Sequence, residues 1–145
     1  MFDTIYTQVG VAVTVLVIAG VFLKGDEPER IGGAAFVLGS LAYMLVGETS
    51  LGDPRWGKLG IDIILLAVFV GLAWHYRRGW PVWACAFQSL IVTGHLILIL
   101  PVQPPGDAFA AVNNLSSYGV LISLAVGTFW AWQERRAAAI AAGDI

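Results

Sequence analysis

The sequence predicts an all-α fold, a polytopic integral membrane helical bundle with about five transmembrane helices, N-terminus outside and C-terminus cytoplasmic. Three observations predict it. Of 145 residues, 58% are hydrophobic and only 12% are Asp, Glu, Lys or Arg. That is about half the charged fraction of an ordinary soluble domain, and a soluble chain this short has too little interior to hide so much apolar surface. Five runs approach the ~20 apolar residues that span a bilayer. The basic residues also divide unevenly between the two sets of loops, as the positive-inside rule requires.

The spans are expected at about 4–23, 28–47, 56–76, 81–101 and 110–132, with 133–145 as a cytoplasmic tail of one membrane domain, 1–145. The opening "MFDTIYTQ" has no Lys or Arg. It lacks the positive region of a secretory signal, so the first hydrophobic run is expected to be retained. In "KGDEPER", Gly25 ends the first helix and Pro28 starts the second, with Asp26 and Glu27 where negative charge favours a helix N-terminus. "GDPRWGK" repeats the device, with Asp53 as N-cap and Pro54 at the first helical position. "RRGWP" reads as a short turn that makes the third and fourth helices an antiparallel hairpin. "PVQPPGD" reads as a stiff linker, with Asp107 as the next cap.

Five spans place Lys24, Arg30, Arg77, Arg78, Arg135 and Arg136 on one side and only Arg55 and Lys58 on the other. This asymmetry sets the orientation. Trp74, Trp80, Trp83, Trp130 and Trp132 gather beside the more basic side and read as an interfacial aromatic belt. The expected location is the plasma (inner) membrane.

Small residues mark helix-packing faces. Gly119, Ser123, Gly127 and Ala131 recur every four residues in the fifth span, and Gly32, Ala35 and Gly39 form a weaker stripe in the second. Such stripes let another helix backbone approach closely. The approaching helix belongs either to the same chain or to a partner.

Polar residues inside the spans are the candidate site. Counting fourteen residues back from Tyr76 reaches Asp62, and fourteen forward from Pro81 reaches His95. In a hairpin the two lie level, roughly 21 Å from the turn. Gln88, level with Phe69, shares the His95 face. A buried carboxylate is costly in hydrocarbon, and a neighbouring imidazole relieves that cost. Glu48, Asn113, Asn114 and Ser117 are expected at similar depth, and the seven residues together could line an outward-facing polar pocket. The alternative is local: Lys58 lies one turn before Asp62 and could draw it towards water.

Several chemistries lack their residues. The chain has two histidines, His75 and His95, roughly 20 Å apart in height, so one chain cannot clamp a haem between them. No cofactor and no metal are predicted. The single cysteine, Cys85, reads as a small packing residue, and a net charge of −2 gives no footprint for nucleic acid. No phosphate-binding loop, zinc motif or nucleophile elbow is present, so the reading leans away from an enzyme.

The leading functional expectation is a non-catalytic subunit or interaction protein, docked through the small-residue stripes in a homo-oligomer or larger membrane complex, with membrane lipids around it. The alternative is a small ion or proton channel or transporter module using the Asp62/His95 pocket. A second alternative is binding of a quinone-like or lipid ligand there.

Overall fold

A computed structural model of the chain describes residues 5–48, 53–101 and 105–144. Among the described residues the regular elements are five helices: α1 (Ile5–Lys24), α2 (Glu27–Glu48), α3 (Pro54–Tyr76), α4 (Gly79–Ile99) and α5 (Gly106–Ala142). All five are long and apolar enough to cross a membrane. Around the bundle, α1 packs on α2, α2 on α3, α3 on α4, α4 on α5, and α5 back on α1, while α2 also reaches α5.

The breaks between helices follow local chemistry. Lys24 is the last residue of α1, and the Gly25 N–H still donates to Val21 O at 2.8 Å. The Asp26 N–H donates to Glu29 Oε2 at 2.9 Å, the reciprocal half of a capping box. Asp53 caps α3 by accepting from Arg55 N at 3.0 Å, with Pro54 as the first helical residue. Arg77 ends α3 in a left-handed conformation, φ 51°, and Arg78 is extended.

Two expectations are corrected here. Gly79 and Trp80 are not turn residues but the first turn of α4. Asp107 is not a cap: α5 begins at Gly106 after Pro105, and Asp107 lies in its first turn. Residues 133–142, expected as part of a tail, are helical and continue α5, which runs 37 residues. Its sequence explains this, because "RRAAAIAA" is rich in the strongest helix former. The helix stops at Gly143, φ 81°, where the Asp144 N–H reaches Ala139 O at 3.1 Å. At 1.5 Å per residue α5 is roughly 55 Å long against a hydrocarbon core of about 30 Å. One end therefore projects beyond the core.

The core is a column of Val21, Leu65, Phe69, Leu72, Trp80, Ala84, Val120 and Leu124. Trp80 is its largest member and is only 2% exposed. That corrects its assignment to the aromatic belt; Trp74, Trp83 and Trp130 do face outward. The difference lies in position: Trp80 sits in the first turn of α4, on the same face as Ala84 and Gln88. Its ring meets the edge of Phe69, at 6.4 Å between centroids.

Trp80 also accounts for much of the small-residue pattern. A Cβ built on Gly127 would collide with its indole, and one on Gly32 would collide with the indole and crowd Leu124. Gly119 is in the same relation to the Phe87 ring and Gly39 to Leu65. Ser123 and Ala131 are buried, and Ala35 packs against the core column. Both stripes are thus filled by side chains of the same chain, and the α5 stripe does not form a free face for a partner.

Gly127→Ala forces the Trp80 ring to move and is expected to lower stability by about 1–3 kcal/mol. Gly71→Ala, at a position with open space around it, is expected to be neutral or stabilising, because Ala is the better helix former. Unfolding curves of the two variants in one detergent check the contrast.

Candidate functional site

Asp62 is buried, in the half of the bundle remote from the Lys24, Arg78 and Arg135 end. Its carboxylate receives three side chains from two neighbouring helices. Tyr43 of α2 donates its hydroxyl to Oδ2 in a very short hydrogen bond. Gln88 of α4 donates Nε2 to Oδ1 at 3.0 Å, and the same nitrogen lies 3.3 Å from the Asp62 carbonyl oxygen. His95 of α4 places Nδ1 3.0 Å from Oδ2. That nitrogen also lies 3.2 Å from Ile91 O. Two acceptors around one ring nitrogen are served by the tautomer that carries its hydrogen on Nδ1. The imidazole is fixed further by the Phe109 ring, edge-on at 5.5 Å, and by Tyr43 at 6.2 Å.

The helix ends explain this meeting. Counting from Gly79, the true start of α4, the residue level with Asp62 becomes Thr93 rather than His95. Asp62 therefore sits between Gln88 and His95 and takes a bond from each. Gln88 lies on Asp62 and not on the level of Phe69, as the count from Pro81 implied. The pull towards Lys58 is also overturned. Asp62 points into the bundle, while the Lys58 ammonium lies 5.9 Å from the Tyr43 ring centroid.

Beside the carboxylate is a cavity of about 230 Å³, with a polar wall of Ser40, Tyr43, Asp62, Gln88, Asn113 and Ser117 and an apolar wall of Phe36, Leu65 and Ile91. Asn113 Oδ1 is buried there without a hydrogen-bond partner. Ser117 spends its hydroxyl on Asn113 O at 2.9 Å. Phe36, Ser40 and Ser117 are shared with a larger cleft of about 1080 Å³ between α1, α2 and α5, walled by apolar residues such as Val9, Val13 and Leu121. Asn114 lines this outer cleft rather than the inner cavity. Of the seven expected pocket residues, Asp62, Gln88, Asn113 and Ser117 share the cavity, and His95 joins them through Asp62. The Glu48 side chain lies outside the described residues.

Two residues of consequence were not anticipated. Tyr43 continues the Ala35–Gly39 stripe by one more turn, so the spacing that marks the α2 packing face also aims its phenol inward. Glu29 is fully buried at the basic end. Its Oε1 accepts from Trp80 Nε1 at 2.7 Å and lies 3.4 Å from Arg78 Nη1. Arg78 Nη2 pairs with Asp26 at 3.0 Å, and Arg135 also reaches Asp26. The Asp26-x-x-Glu29 spacing ahead of an apolar run was the available signal.

The Asp62 and Glu29 clusters are separated by Leu65, Phe69, Leu72 and Leu124, all buried. The buried hydroxyls of Ser123 and Thr128 are spent on carbonyls one turn back in their own helix. Among the described residues no polar chain links the two clusters. The geometry is that of a blind polar pocket, which can hold a headgroup but offers no continuous path. No family model, curated protein or solved structure matches the chain.

Tyr43→Phe removes one of the donors to Asp62 and is expected to cost about 1 kcal/mol. Asp62→Ala strands the buried donors and is expected to cost about 3 kcal/mol. In the Asp62→Ala background, Tyr43→Phe should lose at least about half of its effect. A double-mutant cycle on unfolding in detergent measures this, and equal effects in both backgrounds would show that the phenol does not act through the carboxylate.

Proposed function

We propose that this chain is a membrane protein that binds an amphipathic ligand, its polar head in the Asp62–Asn113 cavity and its apolar part in the cleft between α1, α2 and α5. The observation that carries the reading is the cavity itself: Ser40, Tyr43, Asp62, Gln88, Asn113 and Ser117 give it a polar wall, and it adjoins an apolar cleft. In a bilayer interior an unmet polar group costs several kcal/mol on the order-of-magnitude scale for lipid. A compact polar head with donors and acceptors gives that wall partners. The ligand class is a quinone-like ring or a lipid headgroup, compact and carrying both donors and acceptors. The role proposed is binding, with no turnover.

The cleft supports entrance from the lipid, since its walls are mainly apolar and it adjoins the cavity at Phe36, Ser40 and Ser117. By the positive-inside rule the cavity lies in the outer half of a plasma (inner) membrane, with the N-terminus outside. The subunit reading draws on short loops, the lack of catalytic motifs and small-residue stripes, and the chain fills those stripes itself; the ion-conducting reading needs polar groups where Phe69 and Leu124 stand.

Organic extraction of purified protein followed by mass spectrometry tests the reading. Wild type is expected to yield an amphipathic compound near one per chain. Ser40→Trp, which narrows the passage between cleft and cavity and leaves the Asp62 bonds in place, should reduce it on the order of tenfold. Identical extracts from wild type and this variant, both folded by circular dichroism, would reject the proposal.

A further inference from the structure

At the opposite end of the molecule, the seam between α1 and α5 carries a second site with different chemistry. A groove of about 240 Å³ runs along the seam, with Leu16, Val17, Ala125 and Phe129 in its walls and Gly20 in its lining. A Cβ on Gly20 would meet nothing within 4 Å, so the groove is open there. The Thr128 hydroxyl, also in the lining, is spent on Leu124 O at 2.8 Å, which leaves an apolar surface. The groove leads at Lys24 and Trp132 into a hollow of about 450 Å³ bounded by Leu23, Lys24, Trp132, Arg135 and Arg136.

Three cations thus converge where an apolar groove ends. Arg135 is held in place: it reaches Asp26 with Nη1 and donates Nη2 to the Lys24 carbonyl oxygen, both at very short range. Asp26 is shared with Arg78 at 3.0 Å, and Arg78 also faces Glu29 at 3.4 Å and Glu134 at 3.9 Å, so the charge left over at this end is that of Lys24 and Arg136. The Arg136 guanidinium lies over the Trp132 ring, 5.5 Å from its centroid. No carboxylate of the described residues pairs with Lys24 or Arg136. Positive charge without counter-charge, set at the end of a spanning helix beside an interfacial tryptophan, lies where lipid phosphates lie.

We infer that this seam binds one anionic phospholipid. Its phosphate sits among Lys24, Arg135 and Arg136, and one acyl chain lies in the groove over Gly20. The charges match, since a phosphate accepts from guanidinium and ammonium groups together. A zwitterionic lipid would bring its own cation into a hollow that already holds three. A fatty acyl chain suits a groove whose walls are hydrocarbon. This site is separate from the Asp62 cavity and does not depend on what fills that cavity.

Native mass spectrometry of the full chain, released from micelles holding equal amounts of phosphatidylglycerol and phosphatidylcholine, tests the inference. Wild type should retain phosphatidylglycerol over phosphatidylcholine on the order of tenfold. The Lys24→Gln/Arg136→Gln variant should bring that ratio close to one, whereas Lys24→Arg/Arg136→Lys should preserve it. Gly20→Leu, which fills the groove and leaves every charge in place, should lower retention of both lipids. Equal retention of the two lipids by wild type overturns the inference. So does a preference that survives the double Gln substitution, or one that is lost in the charge-preserving variant.

Discussion

Trp80 donates its indole N–H to the buried Glu29 carboxylate while its ring lies against Gly127 and Gly32. One side chain thereby ties α4 to α2 and α5, and its edge contact with Phe69 adds α3. Lipid makes this arrangement necessary. Hydrocarbon offers no hydrogen bonds to a carboxylate, and helices gain nothing from hiding apolar surface from tails that are equally apolar. Association has to come from close packing and from polar groups that find one another. Glu29 supplies the polar need, and the glycines supply the closeness. The crowding of small residues around a single indole follows from these two demands.

The same demand is met differently in the other half of the bundle. Around Asp62 the partners are neutral or titratable: a phenol, an amide and an imidazole. Around Glu29 they are an indole and an arginine, with more charge at the rim from Asp26 and Arg135. The Arg78 side chain is 30% exposed and stays in touch with its surroundings, while Asp62 is 3% exposed by the same measure. The Glu29 cluster behaves as a staple at the end of the bundle. The Asp62 cluster borders the polar cavity. The apolar column between them separates these roles, and it keeps charge at one end from communicating with the other through hydrogen bonds.

Much of this was legible in the sequence, and the misses have specific causes. Helix number followed from run length, and Asp53–Pro54 marked the start of α3 because a side-chain acceptor followed by proline is a local signal. The meeting of Asp62 with His95 was readable because a short connection limits the offset between two antiparallel helices. The position of Gln88 was misjudged because the count began at Pro81, whereas α4 starts at Gly79. Tyr43 was missed because α2 and α3 are joined by a longer stretch that gives no level to count from. Trp80 looked interfacial because tryptophan near arginine usually is. Only its sharing a face with Ala84 and Gln88 distinguishes it from Trp83. The alanine-rich end of α5 reads as a tail because the apolar run ends before it, although helix propensity continues where hydropathy does not.

The division of labour at Asp62 bears on how the chain is made. Tyr43 precedes this acid in the chain, but Gln88 and His95 follow it on the next helix. During synthesis α3 would reach the translocation machinery with its carboxylate only partly solvated by protein. The Arg77–Arg78 link is short enough for α4 to arrive soon after, bringing the amide and the imidazole with it. Lateral release of the two helices as a pair, rather than one by one, spares the lone acid an unaccompanied passage into the bilayer.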